Sequence, residues 1–135
     1  MGKIPTLYAT QSTYFYMYYG NPSASNQQNP SGIWGNYSAV WHLGEASGTR
    51  LDSTDYSNDL TDNATVTQNP GKAGDAAQFT RTNSEYLSIT ETTSLSVADQ
   101  DFMVSGWVYL DSEPTFVAFG EQSASGNIAW IAQRD

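Results

Sequence analysis

Four aspartates and one asparagine crowd into the eleven residues Asp52-Ser53-Thr54-Asp55-Tyr56-Ser57-Asn58-Asp59-Leu60-Thr61-Asp62. A calcium ion takes about six to eight oxygens from carboxylates, amides, backbone carbonyls and water, and this segment can offer such a set. The spacing is not that of an EF-hand loop, because the central Gly and the closing Glu are missing. Asp, Asn and Ser are also the residues that build turns, since their short side chains bond the backbone nearby. Two readings therefore stand side by side. In one, Asp52, Asp59 and Asp62 hold a structural calcium ion, the one cofactor the sequence suggests. In the other, the same residues shape turns without an ion.

The remaining chemistry is sparse. His42 is the single histidine, and the chain has no cysteine. A Ser-His-Asp or Cys-His arrangement cannot be drawn around it with conviction. Zinc sites built from several His or Cys are excluded, as are disulfides. What remains is aromatic: four Trp and nine Tyr, whose flat rings can stack on the apolar faces of pyranose sugars. Trp34, in a loop, and Trp130, near the end, are the rings expected to be exposed, and they are the candidate ligand-binding residues.

Composition narrows the partners. The 135 residues make one ordinary domain or a piece of one. Fourteen acidic and five basic residues give a net charge of −9. A nucleic-acid surface needs clustered Lys and Arg, and attraction to anionic lipid needs the same, so neither partner is expected. No apolar run approaches the roughly 18 residues of a membrane span, which excludes insertion as a helix. Residues 1–6 show no apolar h-region of a secretory signal, and a cut domain boundary is expected there.

The elements that must carry these residues read as strands. Residues 12–19, Ser-Thr-Tyr-Phe-Tyr-Met-Tyr-Tyr, form an aromatic run of strand length. Residues 23–35 are rich in Ser, Asn, Gln, Gly and Pro and read as a linker or long loop. From residue 36, Tyr37, Ala39, Trp41 and Leu43 alternate with Ser38, Val40 and His42, a period of two. Short strands are expected over residues 76–80, 85–90, 102–110, 116–120 and 127–132. No segment sustains a 3.6-residue period, so helix content should be low. Turn signals every 8–12 residues or so argue for a sandwich or barrel.

At this point the chain resembles a known family. Trp41-His42-Leu43-Gly44-Glu45-Ala46-Ser47-Gly48-Thr49, then Asp52-Ser53-Thr54 and Asn58-Asp59-Leu60-Thr61, are similar to the opening of laminin-G-like jelly rolls of the concanavalin A-like superfamily. Gly71 to Phe79, Tyr86-Leu87-Ser88-Ile89 and Phe102 to Val108 look like the later landmarks in order. Tyr16-Met17-Tyr18-Tyr19-Gly20-Asn21-Pro22 resembles the last strand of a DUF2341 domain, which often precedes such jelly rolls. The resemblance implies three parts: residues 1–22 as that terminal strand, residues 23–35 as linker, and residues 36–135 as the N-terminal part of a jelly roll. It implies an all-β antiparallel sandwich, incomplete at the C-terminus, with Trp41 and Trp107 in the core and a structural ion near the acidic turn. Two-carboxylate glucanases of the superfamily carry Glu-x-Asp-x-x-Glu on one strand. Glu45, Glu85, Glu91, Glu113 and Glu121 are not so arranged, and no enzyme is expected.

Two functional classes follow. One is a non-catalytic extracellular or surface module that binds glycan or a surface polymer, from a prokaryotic or phage protein. The other is a structural subunit of a fibre, sheath or virion appendage that self-associates by strand pairing between chains.

Overall fold

The computed structural model describes residues 4, 6–96, 101–111 and 120. In chain order its elements are a short helix α1 (Pro30–Trp34), strands β1 (Thr61–Asn63), β2 (Thr67–Pro70) and β3 (Asp75–Gln78), a 3-10 turn at Arg81–Asn83, and strand β4 (Tyr86–Ser88). Two small antiparallel sheets result, β1 with β4 and β2 with β3. The described residues are mostly strand and coil with little helix, consistent with an all-β class.

Helix α1 lies inside the segment expected to be irregular. Asn29 begins it, its side-chain oxygen accepting from the Gly32 N–H at 3.0 Å. Pro30 occupies the first helical position, where a missing N–H leaves nothing unsatisfied and the ring pre-sets φ. A proline in a segment that reads as a linker thus starts a helix here. The helix ends in a turn in which Tyr37 N donates to Trp34 O at 2.9 Å.

Strands β2 and β3 make a hairpin in the register Thr67–Gln78, Gln68–Ala77, Asn69–Ala76 and Pro70–Asp75. The turn closes with Gly71 N donating to Gly74 O at 2.8 Å. A Cβ on Gly71 would lie 2.9 Å from Ala76 Cβ and 3.1 Å from Gly74 O, so only glycine fits. Gly74 sits at φ +78°, the left-handed region that glycine enters without a Cβ clash. The sheet of β1 and β4 pairs Thr61 with Ser88, Asp62 with Leu87 and Asn63 with Tyr86, and Asn63 Nδ2 donates to Ser88 Oγ at 2.9 Å. Expected strands over residues 76–80 and 85–90 correspond to β3 and β4. Strands β1 and β2 were not expected, because Thr-Asp-Asn and Thr-Gln-Asn-Pro carry no apolar alternation.

Three expectations for the described residues need correction. Residues 37–43 contribute a single bridge, Trp41 with Asp52, not a strand. Leu43 adopts φ +60°, which ends an extended run, and the Val40 N–H is taken by the Asp52 carboxylate at 2.9 Å rather than by a neighbouring strand. Residues 12–19 and 102–110 form no strand. A strand exists by pairing, and neither segment has a ladder partner among the described residues. Trp107, expected in the core, is 82% exposed, because no described side chain covers it; Lys72 Nζ stands 5.7 Å from its ring centroid. The strand expected over residues 127–132, residues 116–119 of the strand before it, and Trp130 lie outside the described residues.

The centre of the described structure is more polar than apolar. Val66 is the one fully buried hydrophobic residue among those described, and Arg50, Thr54 and Asn58 are buried beside it or nearby in the chain. A buried polar group is tolerated only when its hydrogen bonds are made, which directs attention to the bonds around Asp52.

Candidate functional site

Asp52 is the hub. Its Oδ1 accepts from Val40 N at 2.9 Å and Thr54 N at 2.9 Å. Its Oδ2 accepts from Thr54 Oγ1 at 2.6 Å and Asn58 N at 3.0 Å. An ionised carboxylate has about four lone-pair sites, and all are engaged. Its backbone is held as well: Asp52 N donates to Asp59 Oδ1 at 2.8 Å, and Ser53 N donates to Val40 O at 2.9 Å. One side chain thus pins residues 40, 54 and 58 together, with Asp59 bracing the same point. Burial pushes the Asp52 carboxyl up, but the Thr54 hydroxyl and the N–H groups of Val40, Thr54 and Asn58 outweigh it, so the group lies below the ordinary 3.8.

Asp62 performs a similar task one turn away. Oδ2 accepts from Gly48 N at 3.1 Å and Oδ1 from Val66 N at 2.8 Å. The carbonyls of those same two residues receive the buried guanidinium: Arg50 Nη1 donates to Gly48 O at 2.5 Å and Nη2 to Val66 O at 2.7 Å. Residues 48 and 66 are therefore held through both their N–H and their C=O groups. Arg50 itself pairs with Leu60 through reciprocal backbone bonds of 2.9 Å. Glu45 Oε1 accepts from Leu51 N at 2.9 Å. Arg50 Nε and Glu45 Oε2 are the buried side-chain atoms without a partner among the described residues.

Asn58 extends the network to the far part of the chain. Its Nδ2 donates to Ser38 O at 2.8 Å and Ser94 Oγ at 2.9 Å, and its Oδ1 accepts from Thr92 Oγ1 at 2.7 Å. The Asn58 carbonyl accepts the indole N–H of Trp41 at 2.6 Å. Trp41, expected in the core, is half-buried and is tied to the network through this bond.

The three candidate metal ligands are thus all bonded to backbone N–H groups. Among the described residues no group of three or more His, Cys, Asp or Glu is placed to hold a metal ion. A calcium ion at Asp52 would have to compete with four donors already in place.

The candidate ligand residue Trp34 stands at the end of α1, half-buried. Tyr37 packs edge-on against it at 5.5 Å between ring centroids, and His42 does so at 5.9 Å. Tyr37 and His42 are exposed. The helix is tied to the acidic turn by Ser31 Oγ, which donates to Asp55 Oδ1 at 2.6 Å. Trp34, expected to be exposed in a loop, is half-buried at the end of a helix because these two rings cover part of it; the three-residue step from Trp34 to Tyr37 is visible in the sequence, whereas His42 is joined only by folding. Arg50 is signalled in the sequence only as a cation amid carboxylates.

The described elements and site define a chain of mostly strand and coil with a polar, carboxylate-organised centre and an aromatic group at its surface. Comparison with protein-family models, curated proteins and solved structures finds no match for this chain.

Proposed function

We propose that this chain is a non-catalytic, carbohydrate-binding module acting outside the cell or at a cell or virion surface, with Trp34 as its stacking platform. The observation that carries the reading is the aromatic group itself. Trp34 is held in place by two edge-on rings, and a ring immobilised before binding loses little freedom when a sugar stacks on it. The polar side chains support the same reading by what they are occupied with: Asp52, Asp62, Arg50 and Asn58 spend their bonds on the backbone. The laminin-G-like jelly roll that the Trp41–Thr61 motifs resemble is the sandwich we propose around these sheets. A glycan array tests the function. Intact chain should bind at least one neutral glycan class and the folded Trp34→Ala variant should not; an array with no bound glycan would overturn the proposal.

Two forms of this reading differ at Asp52, Asp59 and Asp62: one with a structural calcium ion, one in which the carboxylates serve the backbone alone, as the four donors on Asp52 favour. Titrating calcium into chelator-treated protein separates them through the melting temperature, since any ligand that prefers the folded state raises it. A rise assigns the ion. An unchanged value, the result expected from four donors on Asp52, assigns the carboxylates to the backbone alone.

A second reading, assembly between copies by strand pairing, is favoured by one observation. Tyr14, Phe15, Tyr16, Met17, Tyr18 and Tyr19 are each exposed, up to 92% at Tyr18. Consecutive apolar side chains left in water mark contact surfaces.

A further inference from the structure

We propose that the depression beside Asn58 is a second sugar subsite, on a segment tied to the helix that carries Trp34, so that the ligand is an oligosaccharide rather than a single sugar; this rests on the reading of Trp34 as a stacking surface. It is a shallow, open depression of about 430 Å³ lined by Tyr56, Asn58, Thr92, Thr93 and Ser94.

Its floor is a ring of hydrogen bonds whose direction can be derived. The Thr92 hydroxyl has one proton and gives it to Asn58 Oδ1 at 2.7 Å. At the 3.0 Å contact between Thr92 Oγ1 and Ser94 Oγ, the proton must then come from Ser94. Ser94 in turn accepts from Asn58 Nδ2 at 2.9 Å. The ring runs one way around, from Asn58 to Ser94 to Thr92 and back. The second Asn58 amide proton goes to Ser38 O at 2.8 Å. Every side-chain proton of the ring is committed, and what the ring still presents is lone pairs.

The ring can only accept, while the hydroxyls of Tyr56 and Thr93 beside it can give or take, and ligand hydroxyls, which do both, match that mixture. Among the described residues no carboxylate lines the site, so none of them balances the charge of a bound ammonium, which would be costly to desolvate. The excess of acidic residues disfavours phosphate and carboxylate ligands. Neutral polyol hydroxyls fit both conditions. Tyr56 adds an aromatic wall and is 58% exposed. Asp55, the residue before Tyr56, accepts the hydrogen bond of Ser31 in the helix that carries Trp34. The two rings therefore stand on segments tied to each other.

The test is calorimetric titration of the full chain with neutral gluco-, xylo- and manno-oligosaccharides, each from monosaccharide to hexasaccharide. Tyr56→Ala and Thr92→Val are compared with Trp34→Ala. Thr93→Val, outside the ring, serves as a further variant should Thr92→Val fail to fold. Affinity should rise with length, and Tyr56→Ala should weaken hexasaccharide binding by ~10-fold or more, the size expected for losing an aromatic anchor. If Trp34→Ala weakens binding and Tyr56→Ala, Thr92→Val and Thr93→Val do not, the second subsite is overturned and the platform stands. If Tyr56→Ala weakens binding and Trp34→Ala does not, the platform is overturned, and the second subsite with it. If no oligosaccharide binds the intact chain, both fall.

Discussion

Asp52 shows how much one carboxylate can organise. Four donors converge on it, and hydrogen bonds to a charged acceptor contribute about 1.5–3 kcal/mol each, with a further cost when a donor is left buried without one. Asp52→Asn replaces one acceptor oxygen with an NH₂ group facing donors. It should lower stability by about 2–4 kcal/mol in denaturant unfolding. The pH dependence follows from the lowered carboxyl. Because the folded group is more acidic than the unfolded one, the unfolded chain binds more protons between the two values, and stability rises with pH there. The contribution is fully present above the ordinary 3.8 and is lost as pH falls below it. Unfolding midpoints measured from pH 6 down to about pH 2 should drop for the natural chain and drop less for Asp52→Asn. A parallel pair of curves would remove Asp52 from this role.

At the scale of elements, turn chemistry decides more than apolar pattern does. The β2–β3 hairpin depends on a glycine at position 71, where any Cβ would meet Ala76 Cβ and the Gly74 carbonyl. Gly71→Ala should cost about 1–3 kcal/mol, the usual range for overpacking, and should speed amide exchange in Thr67–Pro70 and Asp75–Gln78 before the rest of the chain. Unchanged exchange would mean that the turn can widen at no cost. The sequence made part of this visible. Gly71 and Gly74 bracket a turn, and Ala76-Ala77 and Tyr86-Leu87-Ser88 carry enough apolar character to be read as strands. It hid β1 and β2, whose residues are polar and become strands through their partners. It misplaced residues 37–43 because alternation says nothing of the Leu43 φ or of a carboxylate that takes the Val40 N–H. Of the site, the acidic residues and Trp34 were legible by type. The pairing of Asn58 with Thr92 and Ser94 spans more than thirty residues, and no local pattern encodes it.

At the scale of the whole molecule, the surface aromatics carry the proposed self-association. Residues 14–19 present six large apolar side chains to water, a sequence rich in strand formers with no charge to discourage pairing. If copies associate through this run, sedimentation velocity will show concentration-dependent growth that Phe15→Ser with Tyr18→Ser suppresses. A single monomer peak at every concentration would set the assembly reading aside and leave the run without that role. The acidic surface acts in the other direction. Its net charge of −9 keeps copies apart at low salt, so growth should strengthen as salt rises and screens the repulsion.

The claim that joins these scales is that the chain recognises sugar through a ring fixed in advance by its neighbours. The most direct measurement is depletion of the intact chain from solution by insoluble cellulose, chitin, xylan or mannan particles, with Trp34→Ala as the matched control. The account predicts loss from the supernatant on at least one polysaccharide and recovery of the variant in full. Equal recovery of both folded proteins on every polysaccharide would contradict it.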